Sequence, residues 1–97
     1  MAKSIPSSGA GAIRIMLKNK DELHFEQQSK KESEERTSYL YDIFYDNVTG
    51  TLNMSVVKGE VHIAALNLSV GKVITLENDQ NLKKFCRYIL EKDGEEC

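Results

Sequence analysis

Tryptophan is absent from these 97 residues, proline occurs once, and histidine and cysteine occur twice each. Cys86 and Cys97 have no CxxC or Cys/His spacing, so they do not make a zinc site. Cys86 reads as a small buried apolar residue and Cys97 as a terminal thiol. No apolar run approaches the roughly 20 residues needed to cross a bilayer. The opening stretch, MAKSIPSSGAGAIRIMLK, contains no uninterrupted apolar segment before a cleavage site, so an intracellular setting, cytoplasmic or nuclear, is expected. Positive charge is not in excess either. The net charge of -2 lacks the basic field with which proteins usually hold duplex backbone.

Catalytic signatures are missing as well. Asp42 and Asp46 on an extended strand would lie about 13 Å apart, beyond the roughly 5 to 9.5 Å at which two carboxyls flank one bond. Glu22, His24 and Glu26 would be spaced about 7 Å apart along one strand face, too far to converge on a metal. Cys86 falls on an apolar stripe, where burial suppresses thiolate formation. SSGAGA and VGK lack the strand, loop and helix context of a phosphate cradle. The three Asn-x-Ser/Thr triplets at Asn47, Asn53 and Asn67 read as turn and strand chemistry. No enzyme, cofactor or metal site is expected.

What is present is the composition of one small domain, with 40% apolar and 29% charged residues. Residues 1–11 are Gly/Ser-rich and read as a flexible arm, and 12–97 as the domain. Ile13, Ile15 and Leu17 alternate with Arg14, Met16 and Lys18. After KNKD the alternation returns at Leu23 and Phe25, so 12–26 reads as a hairpin. Residues 27–37, QQSKKESEERT, hold no apolar side chain and read as a mobile polar loop, with an exposed helix as the alternative. Tyr39, Tyr41, Ile43 and Tyr45 then recur at period two against Leu40, Asp42 and Phe44, which predicts a strand. DNVTG supplies a hairpin connection of three to five residues, with Gly50 available for positive φ.

Leu52, Met54 and Val56 form the next strand. Lys58-Gly59 is a two-residue turn, Val61, Ile63 and Ala65 alternate again, and a short strand follows Gly71. Residues 79–93 predict an amphipathic helix. Leu82, Phe85, Cys86, Ile89 and Leu90 make its apolar face, Asn78 or Asp79 its N-cap, and Gly94 its stop.

The resulting class is mainly β (α+β), a six- or seven-stranded antiparallel bent sheet or roll closed by one C-terminal helix. Over residues 12–93 this element order resembles the PH-like superfold, although the helix lacks the tryptophan that many PH domains carry there. An OB-like barrel and a sheet with two helices are the alternative architectures.

A strand with rings on both sides cannot easily hide both, so one side of residues 39–45 should face outward. Tyr39, Leu40, Tyr41, Phe44 and Tyr45 are the candidate partner-interface residues. If the tyrosines are inside, Leu40 and Phe44 form the open patch around Asp42. The favoured function is a non-catalytic protein-protein interaction module, a homodimer or a small subunit of a complex, using the hairpin 39–57. A second reading is a binder of single-stranded nucleic acid or phosphoinositide. There Tyr39, Tyr41 or Phe44 would stack, and Lys18, Lys20, Lys83, Lys84 and Arg87 would contact phosphate. Of these, Lys83, Lys84 and Arg87 on the outward side of the last helix are the nearest to an anion site. A third is a small acidic inhibitor of a larger enzyme, of phage or mobile-element type. Residues 29–38 carry Ser29, Ser33 and Ser38, which could order on phosphorylation or on a partner.

Overall fold

The computed structural model describes residues 12–69 and 71–94. The N-terminal arm and Cys97 lie outside them. Five antiparallel strands follow one another in a meander: β1 (Leu23–Glu32), β2 (Thr37–Tyr45), β3 (Val48–Val57), β4 (Glu60–Leu68) and β5 (Lys72–Thr75). Their spatial order is their sequence order, and the two outermost strands are not paired with each other. The sheet is open, with five strands where six or seven were expected, and it does not close into a barrel. Helix α2 (Asn81–Lys92) covers one face, joined by a short helix α1 (Ala12–Lys18) and a single turn of 3-10 helix at Lys20–Glu22. The arrangement is a sheet with two helices.

Residues 12–18 are thus helical, a correction to the expected hairpin strand. In a seven-residue window both periods fit. Ile13, Ile15 and Leu17 align at period two, but Ala12, Ile13 and Met16 share a helical face, and it is these three that are buried. A helix this short is marginal alone and gains its stability from docking on the core. Asn19 ends it, its backbone N–H donating to the carbonyls of Ile15 (3.1 Å) and Met16 (3.2 Å) and its side-chain amide to Ile15 (2.8 Å).

The second correction falls on residues 27–37. Most of them are strand, because β1 continues through Glu32 and pairs with β2 as far as Glu32 opposite Thr37, and the polar loop shrinks to residues 33–36. The register skips Gln28, a bulge that shifts the pattern by one residue. The turn is held by Ser33, whose N–H donates to the Arg36 carbonyl at 2.8 Å and whose hydroxyl accepts the Arg36 N–H at 3.2 Å.

β2 and β3 follow the expected alternation, whereas β4 departs from it: a bulge at His62 turns Ala64 and Leu66 inward and Ile63 and Ala65 outward, a correction to the expected Val61, Ile63, Ala65 face. Tyr39, Tyr41, Ile43 and Tyr45 of β2 point to the helices, with Leu52, Met54 and Val56 of β3, Val61, Ala64, Leu66 and Leu68 of β4, and Ile74 of β5. They meet Leu82, Phe85, Cys86, Ile89 and Leu90 of α2 in one cluster. Lys58 (φ 52°) and Gly59 (φ 80°) both take the left-handed conformation in the β3–β4 turn. The β2–β3 connection is tighter than expected, with Asp46 and Asn47 alone between the strands and Asp46 at φ 54°. Gly50 is not a turn residue but lies within β3. A Cβ there would come within 2.9 Å of the Asn67 carbonyl oxygen and of a Leu68 methyl.

The N-cap of α2 is Gln80, without a side-chain cap. Asp79 helps from one position earlier, its carboxylate accepting the Asn81 N–H at 3.0 Å. Asn78 instead donates its side-chain amide to the Val73 carbonyl at 3.3 Å. Gly94, at φ 75°, ends the helix region as expected.

Candidate functional site: an open sheet face and a basic cleft

Both helices lie on one side of the sheet, so among the described residues nothing covers the other side. Strand alternation decides which residues occupy it. From β2 they are Ser38, Leu40, Asp42 and Phe44; from β3, Thr49, Thr51, Asn53 and Ser55; from β4, Ile63, Ala65 and Asn67; from β5, Val73. Phe44 is 40% exposed, Ile63 54% and Val73 56%, and these are the large apolar side chains open to solvent among the described residues. A second bulge, at His62, places Ile63 rather than its neighbour on this face, opposite Ser55.

Tyr39, Tyr41 and Tyr45 therefore leave the expected contact surface, because the helices cover them. Leu40, half-buried, and Phe44 remain on the open side, around Asp42. Asp42, Thr51 and Asn67 form one cross-strand row, and with Phe44 and Thr49 they line a shallow hollow of about 440 Å³.

The tyrosines serve the core instead. Tyr41 meets the ring of Phe25 edge-on, centroids 5.9 Å apart. Its hydroxyl donates to the carboxylate of Asp93 at 2.7 Å, and the Gln27 side-chain amide donates to the Tyr41 hydroxyl at 3.1 Å and to Asp93 at 3.3 Å. Three elements are tied together at that point: the outer strand, its neighbour and the end of α2. Neither Gln27 nor Asp93 stands out in the sequence, because the contact spans 66 residues and no local pattern encodes it.

The cations of α2 border two adjoining depressions, one lined by Lys83, Lys84 and Arg87 with Leu76 and Gln80, the other by Lys84 and Arg87 without Lys83. Lys83 pairs with Glu60 at 3.8 Å, a partly exposed contact worth little. Lys84 and Arg87 have no carboxylate partner among the described residues. They line a cleft of about 430 Å³ together with Leu17, Lys20, Tyr88 and Glu91. Lys20 comes from the 3-10 turn and sits over the Tyr88 ring, its Nζ 4.9 Å from the centroid. Lys18 is exposed at the end of α1 and does not line this cleft.

Titratable chemistry elsewhere is sparse. Burial pushes the Cys86 thiol up from 9.0 to about 12, so it stays protonated and closed to substrate. Glu22 belongs to the 3-10 turn, while His24 and Glu26 lie exposed on β1, and no group of three or more His, Cys, Asp or Glu side chains among the described residues could hold a metal ion. No described helix is long and apolar enough to cross a membrane. Comparison with family models, curated proteins and solved structures finds no match for this chain.

Proposed function

We propose that this chain is a non-catalytic protein-interaction module that pairs with a second copy of itself through the open face of its sheet. The supporting observation is the exposure of Phe44, Ile63 and Val73 on a face that no element among the described residues covers. They stand in three different cross-strand rows with Thr, Ser and Asn side chains between them, so the face offers separate apolar contacts within a polar surface.

The dimensions suit a partner. With strands about 4.8 Å apart and a rise of about 3.3 Å per residue, the four long strands present roughly 550 Å². That is close to the ~600 Å² per partner at the lower end of specific interfaces. Small Thr, Ser and Asn side chains separate the apolar ones, leaving room for side chains of a facing sheet to interdigitate. Charge favours self-pairing. Along β1, Glu26 lies towards one end and Lys31 towards the other, so a two-fold axis across the strands brings the acid of one copy towards the base of its partner.

Sedimentation equilibrium of the full chain tests this. The expected mass is that of two chains in the micromolar range, and of one chain in Phe44→Asp and Ile63→Asp. Both substitutions are on solvent-exposed side chains, so the melting temperature should change little. A single-chain mass for the unmodified protein at all concentrations would defeat the proposal.

A further inference from the structure

The helical side of the molecule carries a second surface, independent of the sheet face. The whole chain is acidic, with 15 Asp and Glu against 13 Lys and Arg. In the shallow cleft between the Lys20 turn and α2, however, the described lining residues include three cations, Lys20, Lys84 and Arg87, and one carboxylate, Glu91. Among the described lining residues, two positive charges are in excess. Cations brought together from two elements repel one another, and the neighbouring Lys83 shows that this surface can pair a lysine where only structure is at stake. Leu17 and Tyr88 supply apolar walls, and the Tyr88 ring steadies the Lys20 ammonium.

We propose that this cleft is a binding site for a phosphate monoester or a small polyphosphate. The charges match, since a phosphate monoester carries about -1.5 to -2 near neutral pH. The donor set matches as well. Arg87 offers a planar fork suited to two phosphate oxygens, and the two lysines offer point charges from different sides. The shared chemistry, a phosphate dianion on a polar carrier, could arrive as a soluble ester or as a lipid headgroup.

Calorimetric titration of the full chain with pyrophosphate and with inositol trisphosphate provides the test, accompanied by flotation with phosphatidylcholine vesicles containing phosphatidylinositol bisphosphate. Binding is expected, weakening as salt rises. Lys84→Gln combined with Arg87→Gln should weaken it by roughly tenfold or more, as expected for loss of charge-assisted bonds. Lys83→Gln should leave it within about twofold, because that lysine already has a surface partner. Glu91→Gln should tighten binding by removing the one repelling carboxylate. All four side chains are at least partly exposed, and an unchanged melting temperature would show that the variants are folded.

Soluble phosphate binding without flotation assigns a free ester. Flotation competed away by inositol trisphosphate assigns a lipid headgroup. Absence of binding to both phosphates and vesicles overturns the proposal, as does undiminished binding in the double variant. Capture of a single-stranded oligonucleotide by a chain that ignores the small phosphates overturns it too.

Discussion

Gly50 shows how one residue can be misread for a sound reason. After Asp46 and Asn47 a glycine suggests a turn, yet the chain reverses before reaching it, and what glycine provides is space for the Asn67 carbonyl and the Leu68 side chain. Gly50→Ala should therefore destabilise the fold by about 1 to 3 kcal/mol, the range for overpacking, and chemical denaturation would measure it. Tyr41 is a contrasting case. Its ring is legible as a period-two strand residue, but its hydroxyl finds Asp93, which sequence separation concealed. Tyr41→Phe should cost about 1 to 2 kcal/mol, since it removes a hydrogen bond to a charged group and leaves the ring packing in place. A loss no larger than experimental scatter in urea unfolding would mean that the clamp is ornamental.

Cys86 gives a pH signature. The folded thiol ionises near 12 and the unfolded one near 9.0, so between these values the unfolded state holds fewer protons than the folded one. The stability tied to the neutral thiol is complete below pH 9.0 and is lost as pH rises towards 12. Subtracting the pH dependence of Cys86→Ala from that of the unmodified chain isolates this effect from the tyrosines and lysines. The unmodified chain should lose more stability over that interval than the variant.

Among the elements, those whose burial pattern repeats over a long window were legible. β2, β3 and α2 each carry several apolar residues at the period of the element, and α2 also has a glycine stop, whereas in β4 the bulge at His62 reversed which apolar residues face the core. The other two corrections have different causes. The α1 segment is too short for its period to be decided locally, so its docking surface chooses the helix. The second half of β1 has no apolar side chain at all, and it is a strand because backbone pairing with β2 continues where side-chain patterning ends. Lysines at positions 30 and 31 on this outer strand also discourage further strands from adding to it.

The fold's dependence on α2 can be measured. Phe85 is wholly buried between helix and sheet, and Phe85→Ala should cost about 3 to 5 kcal/mol, enough to unfold a domain of this size or lower its melting point steeply. Leu17→Ala should cost clearly less, because Leu17 is only half-buried and packs against the outside of the core cluster.

For the whole molecule, the distribution of surfaces follows from a simple count of layers. One sheet and one helical layer bury a single sheet face, and no further element among the described residues covers the other. The sequence indicated that the rings of β2 could not all be hidden but did not indicate the side, because β2 is apolar at both parities. The structure resolves this through the Tyr41–Asp93 contact and the helix-facing core, which leave Leu40 and Phe44 outward. The basic cleft was only half visible. Lys83, Lys84 and Arg87 share a helix and are neighbours in sequence, whereas Lys20 joins the last two through tertiary packing and Lys83 also reaches Glu60.

Self-pairing through the open face can be observed at the side chains concerned. Methyl NMR spectra recorded over a dilution series should show shifts concentrated at Leu40, Ile63, Ala65 and Val73, while the methyls of Leu82 and Ile89 beneath the helix stay in place. Spectra unchanged by dilution in a chain of single-chain mass, or shifts centred on α1 and α2, would contradict the account.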